Sequence, residues 1–390
     1  MLSSASALVE YEGENSSLTL RLALDVGGGA SFNPEPEIPY PDDIEPIFFA
    51  GLRVLMDSFV GEHLRFEVNA YQNGYTLLDL EATLPFNQPY RTKYLRHDWL
   101  DSEKGRMLLG LDQLSVKIFA GPVDFTIGRQ PIGLSNNFIF TPNDFFYPFG
   151  STAIDREFRP GVDAIRMDAR VGMLSKISLY AVMGYDEDGA PSFDSSAILA
   201  HSSINTNGVD WSLIGGKLAG KYLAGCALSG ETAQVGFRAE ANLSIPDADW
   251  DQAYVNVAAG IDRRFENTLH VMLEYYYHQN GKMNARDYQA NNDIADPFLG
   301  VHYLGLSMSG ELLPVLTIQG VILMNMIDPS FMLSPGITYS AEEELDFILS
   351  ASIPIGRWAS FDPQAEIPLE LNSEYGFYPY SIQLQGRWYF

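Results

Sequence analysis

The chain is nearly without cysteine. Cys226 is the one thiol in 390 residues, which excludes an intramolecular disulfide, a C-x-x-C metal or redox site and a C-x-x-C-H haem attachment. Basic residues are scarce as well: Lys and Arg number 24 against 50 Asp and Glu, for a formal charge of -26. Nucleic acid is therefore not expected as a partner, because binding it depends on cations that neutralise phosphates. No apolar run of about 18 residues occurs, so no transmembrane helix is expected. The start, MLSSASALVEYEGEN, has neither the basic nor the apolar region of a secretory signal. The expectation is that Met1 begins a mature form whose leader was removed. Nucleophile motifs, phosphate loops and zinc signatures are absent too.

What is present is alternation. Aromatics make up 13% of the chain, glycines number 34, charged residues are only 19% and mean hydropathy is -0.06. Leu18, Leu20, Leu22 and Leu24 alternate with Thr19, Arg21, Ala23 and Asp25, and Leu64, Phe66 and Val68 alternate with Arg65, Glu67 and Asn69. The same period of two returns around Ile165, Val235, Leu269, Leu316 and Leu345, and in the closing YSIQLQGRWYF. It is the signature of strands with one apolar and one polar face. Short connections near Gly61, Gly121 to Pro122, Met173 to Leu174, Phe265 to Asn267 and Gly310 to Glu311 alternate with long polar ones. Strict alternation requires an odd number of strands between Asp186 and Thr232, and three are placed there, near 197–204, 209–217 and 221–229. The total is then about 18 strands, or about 16 if those three merge; an even number is expected for a barrel.

A soluble sandwich also alternates, with its apolar faces inward. Three features favour the opposite orientation. Strands reach about 11–14 residues, enough to cross the roughly 9–11 residues of a hydrocarbon layer. Aromatics gather at strand ends, as Tyr275, Tyr277, Trp388 and Phe390 do, where an interfacial girdle would lie. Polar faces carry both signs two residues apart, in Arg65 with Glu67, Arg166 with Asp168 and Arg238 with Glu240. The expected fold is all-β: a transmembrane antiparallel β-barrel over residues 15–390, with short periplasmic turns and long extracellular loops. Residues 1–14 form an N-terminal segment, periplasmic or lumenal. Residues expected to line a pore are Arg21, Asp25, Arg53, Asp57, Arg65, Glu67, Arg129, Arg166, Asp168, Arg170, Arg238, Glu240, Glu274 and Arg387.

The ending, with Phe390 last and Trp388 two before it, resembles the C-terminal signal of Gram-negative outer-membrane proteins. That resemblance implies recognition by the barrel-assembly machinery. The stretch VDFTIGRQPIGLSNNFIF…FRPGVDAIRMDAR resembles a block of porin-like barrels, including the alginate-export type. The matching residues are Gly128, Arg129 and Gln130, then Asp163, Arg166 and Asp168. The resemblance implies an outer-membrane channel with arginines along its pore, in contact with outer-membrane lipids and lipopolysaccharide.

Simple alternation puts Arg129 with Val123, Phe125 and Ile127 on the lipid side, where an arginine is costly. A bulge at Gly128 would turn it into the pore; snorkelling at the outer interface is the alternative. The loop Leu134 to Pro160 is rich in Phe, Tyr and Pro. So apolar a loop is expected to fold into the mouth rather than stand in water, with Asp144, Asp155, Arg156, Glu157 and Arg159 shaping the constriction. Asp247, Asp249 and Asp251, and Asp186 to Asp188, carry oxygens of the kind Ca²⁺ takes. Neither group follows the twelve-residue loop rule, so both are read as solvated acid and no cofactor is expected. His270 and His278 stand about 26 Å apart along a strand, too far to share a metal. Three functions remain: a porin for passive or weakly selective diffusion of small solutes or ions, a sleeve around a separate multihaem cytochrome, and an outer-membrane enzyme. The first is the reading adopted. A homo-oligomer is compatible with it.

Overall fold

The structure is a computed structural model. It describes residues 7–33, 43–76, 89–102, 104–154, 156–186, 188–247, 249–288, 297–361 and 369–390. The chain begins with β1 (Val9–Gly13), β2 (Ser16–Phe32), β3 (Ile44–Val60) and β4 (Leu64–Thr76). A hairpin of β5 (Arg96–Ser102) and β6 (Gly105–Ala120) follows, and then β7 (Val123–Gln130) and β8 (Val162–Arg170), which flank the loop 131–161. Next come β9 (Lys176–Tyr185), β10 (Pro191–Thr206), β11 (Val209–Leu218), β12 (Lys221–Thr232), β13 (Val235–Pro246) and β14 (Tyr254–Arg264). β15 (His270–His278), β16 (His302–Leu313), β17 (Leu316–Asn325), β18 (Ser330–Glu342) and β19 (Leu345–Ile355) continue the series. Two-residue β20 (Ser360–Phe361) and β21 (Leu369–Glu370) precede the last strand, β22 (Tyr380–Tyr389).

Eighteen of these close a barrel: β2 to β4, β6 to β19, and β22, each antiparallel to its neighbours. Closure comes from β22, which pairs with β19 on one side and with β2 on the other, from Ala23↔Tyr389 to Phe32↔Tyr380. The three strands placed between Asp186 and Thr232 are β10, β11 and β12, separated by turns at 207–208 and 219–220; the count of 16 is thereby overturned. One turn was misplaced. Gly310 and Glu311 lie inside β16, and the chain reverses at Pro314 and Val315, after a register shift between Glu311 and Leu313.

Burial follows the alternation with a soluble protein's polarity reversed. On the outer face Leu213 is 60% exposed and Ile165 54%, while Ser178 and Asn325 inside the ring are 0% exposed. The strands can present that outer face because each is laddered to a neighbour on both sides around the ring, leaving no open edge in the closed part. In the N-terminal segment, residues 1–6 lie outside the described residues. β1 folds back on β2, from Gly13↔Ser16 to Val9↔Leu20, in line with β22, whose end is tied by Phe390 N–H to Leu22 O at 2.8 Å.

Two irregularities matter for the interior. Along β6 the apolar phase of Met107, Leu109 and Leu111 shifts to Leu114 and Val116, and the β4–β6 register slips there, pairing Asn69 with Gln113 and Ala70 with Leu111. Asp112 is the extra residue of that bulge. At Gly128 the expectation fails: pairing runs unbroken from Ala120↔Val123 to Leu114↔Arg129 on one side and through Gly128↔Ala164 on the other. Gly128 has φ +118, and a Cβ there would stand 2.2 Å from Leu114 O. Its glycine is required by a local distortion of the backbone and close approach to β6, and no residue is added to the strand.

Candidate pore constriction

The loop 131–161 makes contacts all round the ring. Ile132, Leu134 and Phe146 pack with residues of β8 to β12. Ile139 and Phe140 pack with residues of β14 to β18, Phe140 stacking on Tyr276 at 5.2 Å. Ile154 touches Gly336 of β18, Phe158 lies 4.4 Å from the Arg53 guanidinium of β3, and Glu157 reaches Arg387 of β22. One loop can touch β3, β12, β18 and β22 only by crossing the interior. Its aromatic content is explained there, since Phe140 and Phe146 are fully buried.

Two wall carboxylates hold it. Glu240 of β13 accepts from Ser135 Oγ at 2.5 Å and from the Asn136 N–H at 3.0 Å. Glu274 of β15 accepts from the N–H groups of Phe138, Ile139 and Phe140 at 2.9–3.0 Å. The Asn242 side chain donates to Pro142 O, and Asn143 donates to Cys226 O at 3.2 Å. Inside the loop Asp144 pairs with Arg159 at 2.6 Å. Arg156 donates to the carbonyls of Phe138 at 2.7 Å and Ala153 at 3.1 Å. Asp155 lies outside the described residues.

The other residues assigned to the pore wall fall into ion pairs on the inner face. Arg65 bonds Asp57 and, at 3.0 Å, Glu67. Arg166 bonds Asp168 at 2.8 Å, and Arg170 bonds Asp124 at 2.9 Å. Arg53 donates through Nη1 to Asp112 at 2.6 Å and to Asn69 at 2.9 Å. Arg387 bonds Asp25 at 2.7 Å and Glu157 at 2.9 Å. Arg21 stands half-buried on the same face of β2.

Three assignments change. Glu240 and Glu274, 2% and 1% exposed, are covered by the loop instead of lining water. Arg238 does not pair with Glu240 two residues along; it bonds Asp262 of β14, which His270 also reaches at 2.8 Å. Arg129 neither lines the pore nor snorkels. It is 2% exposed, bonded to Asp163 at 2.7 Å and to the carbonyls of Leu111 and Thr92 at 3.0 and 3.1 Å. An arginine so fully satisfied is structural, joining the segment before β5 to the ends of β7 and β8. Among residues the sequence reading passed over, Asp112 carries Arg53 and also Arg91 at 3.0 Å; the phase slip in MLLGLDQLSV is the signal that could have found it.

Of the acidic clusters, Asp249 accepts from the Asp251 N–H at 3.0 Å and Asp186 from the Ala190 N–H at 2.8 Å, so both cap their own turns. No group of three or more metal-binding side chains forms among the described residues.

Burial pushes the Asp144 carboxyl up to about 6 from its ordinary 3.8, against the pull of Arg159. Its Oδ1 is buried with no hydrogen-bond partner among the described residues. Since the folded value lies above the unfolded one, this group's contribution to stability is complete below about pH 4 and is lost as pH rises through about 6. Protonation leaves the Arg159 charge uncompensated. The expected outcome is a reversal potential that moves toward anions as pH falls through about 6, with Asp144→Asn abolishing the inflection.

A second group of buried polar side chains adjoins the loop where Phe140 packs on Tyr303. Glu374, in the loop before β22, is 2% exposed. Its Oε2 accepts from Tyr303 Oη at 2.5 Å and from Asn325 Nδ2 at 2.6 Å, and its own N–H donates to Asp328 at 2.7 Å. Burial pushes its carboxyl up to about 8 from 4.5, so it is mostly neutral at pH 7. Glu374→Gln keeps an acceptor and is expected to change unfolding free energy by less than about 1 kcal/mol. Glu374→Leu leaves the buried Tyr303 hydroxyl without its acceptor, while Asn325 keeps Tyr288 at 2.9 Å, and is expected to lose roughly 1–3 kcal/mol. Urea unfolding in detergent measures both, and only the wild type should lose stability as pH rises through about 8.

An eighteen-stranded antiparallel barrel, apolar outside and ion-paired inside, with one long loop turned into its interior, has the architecture of the porins of Gram-negative outer membranes. Among solved structures this chain is similar to OccAB3 of Acinetobacter baumannii, at 12% identity and TM-score 0.61, over 96% of this chain and 99% of that one. It is similar to OccK2 (OpdF) of Pseudomonas aeruginosa, solved in complex with glucuronate, at 11% identity and TM-score 0.59, over 95% and 97%. It is also similar to OpdK of Pseudomonas aeruginosa, solved with vanillate, at 9% identity and TM-score 0.57, over 96% and 98%. The likeness is one of fold over the whole length. No family model matches the chain, and no curated protein matches it.

Proposed function

We propose that this protein is an outer-membrane channel through which small hydrophilic solutes or ions diffuse passively or with weak selectivity. The observation that carries the reading is the division of polarity: an apolar face that only lipid can cover satisfactorily, around an interior lined by ion pairs and narrowed by the loop 131–161. Between that loop and the wall of β2, β3, β4 and β22 a gap remains, bordered by Asp25, Arg53 and Arg387. Glucuronate and vanillate, found in two structures of the same fold, are small polar solutes of the class proposed here.

Lipid and lipopolysaccharide are then its surroundings, and Trp388 with Phe390 its signal to the assembly machinery. A sleeve around a cytochrome fits less well, because the loop occupies the space a threaded partner would need. Nor do we read the chain as an enzyme. Insertion of the purified chain into a planar bilayer tests the proposal: discrete conductance steps in KCl are expected, and a folded barrel with no conductance would overturn it.

A further inference from the structure

The gap beside β2 and β3 is a cavity of about 290 Å³ with an unusual lining for a water passage. Phe49, Phe149 and Phe158 form an apolar wall, and Asp25, Arg53 and Arg387 supply charge. Glycines make the space. A Cβ on Gly27 would fall 2.2 Å from the Phe49 ring, so Phe49 lies flat against β2, and a Cβ on Gly51 would fall 2.8 Å from Asn73 Oδ1.

The ion pairs around the cavity are incomplete in a specific way. Every hydrogen bond described for Arg53 leaves through Nη1, to Asp112 and Asn69. The contacts described for Asp25, from Gln385 at 2.8 Å and Arg387 at 2.7 Å, both end on Oδ1. One edge of a guanidinium and one carboxylate oxygen are thus left to meet a ligand. They are close together: Ala23 pairs with Arg53 and Asp25 with Gly51, which makes Asp25 and Arg53 diagonal cross-strand neighbours, about 7–8 Å apart at the backbone.

Resting on the channel reading above, we propose that this cavity is a binding site for a zwitterion with an aromatic or large apolar body, such as an aromatic α-amino acid. The ammonium meets Asp25 Oδ2, the carboxylate meets the open edge of Arg53, and the body lies among the phenylalanines. A simple carboxylate of the same shape would satisfy Arg53 but leave Asp25 facing an uncharged group. A simple amine would do the reverse. Discrimination by such paired groups exceeds what an apolar pocket alone supplies, because the unmatched ligand leaves a site group without its partner.

The test is calorimetric titration of the full chain in detergent with L-phenylalanine, 3-phenylpropanoate and 2-phenylethylamine. The wild type should bind L-phenylalanine at least fivefold more tightly than either single-charge analogue. Asp25→Asn should weaken L-phenylalanine to the level of 3-phenylpropanoate and leave the latter unchanged, whereas Arg53→Gln should weaken both. If Asp25→Asn does not give a heat-modifiable barrel, Gly51→Leu fills the cavity from a different backbone position and should abolish binding of all three. Equal affinity for L-phenylalanine and 3-phenylpropanoate, discrimination that survives in Asp25→Asn, or no binding by the wild type would overturn the site. The channel reading fails separately: it would be lost if the ligand-free wild type did not conduct, even with the calorimetric discrimination intact.

Discussion

Replacing Glu274 by alanine is expected to raise single-channel conductance several-fold. The carboxylate holds three consecutive backbone N–H groups of the loop at 2.9–3.0 Å, and hydrogen bonds to a charged acceptor contribute roughly 1.5–3 kcal/mol each. These contributions are not additive, but even half of their sum exceeds what thermal motion can ignore. Alanine leaves three buried donors without an acceptor, and the loop can satisfy them only by moving into water. The apolar anchor remains, since Phe140 still stacks on Tyr276, so the single variant should show a noisy open level. Glu274→Gln, which keeps one acceptor oxygen, should fall between it and the wild type. The double variant Glu240→Ala, Glu274→Ala should approach the conductance of a chain lacking residues 138–157. Wild-type conductance from a folded Glu274→Ala barrel would mean that the loop is held by its aromatic packing alone.

The second large effect is expected at the chain's end. Deleting Tyr380 to Phe390 removes β22 and leaves β2 and β19 each with an unpaired edge. Each unsatisfied backbone group in hydrocarbon costs several kcal/mol, so no folded, heat-modifiable barrel should form in detergent or in cells. Phe390→Ala separates closure from the assembly signal proposed above. The Phe390 backbone bonds Leu22 in both directions, at 2.8 and 2.9 Å, whatever the side chain. That variant should refold in detergent with near wild-type thermal stability while its yield in the outer membrane of cells falls severalfold. Equal loss in both settings would place the role of Phe390 in packing instead of recognition.

Both predictions use features of different visibility in the sequence. The closing strand could be read directly, because YSIQLQGRWYF alternates cleanly and ends on an interfacial ring. Glu274 could be assigned to the inner face by the same alternation. Its partners could not, since they lie 134–136 residues away in a loop without a period. The pair Arg166 with Asp168 was legible because both residues share one strand face. Arg238 bonds Asp262 across strands instead of Glu240 along its own, while Glu240 is taken up by Ser135 and Asn136 of the distant loop.

By itself the sequence determined which side chains share a face, that the barrel has about 16 or 18 strands and that their apolar sides point away from a polar interior. Period-two alternation specifies the faces locally, and the requirement that short and long connections alternate makes the number of strands between Asp186 and Thr232 odd without knowledge of their packing. Only the tertiary structure decided which inward groups meet water and which are covered. It buried Glu240, Glu274 and Arg129, made Asp112 the extra residue of a bulge, and left Arg53 and Asp25 each with one side open toward the same cavity. The reason is physical: alternation assigns a side chain to a surface but carries no information about its depth or about the distant segment that lies over it, and those two quantities decide whether a charge becomes a staple or part of a passage.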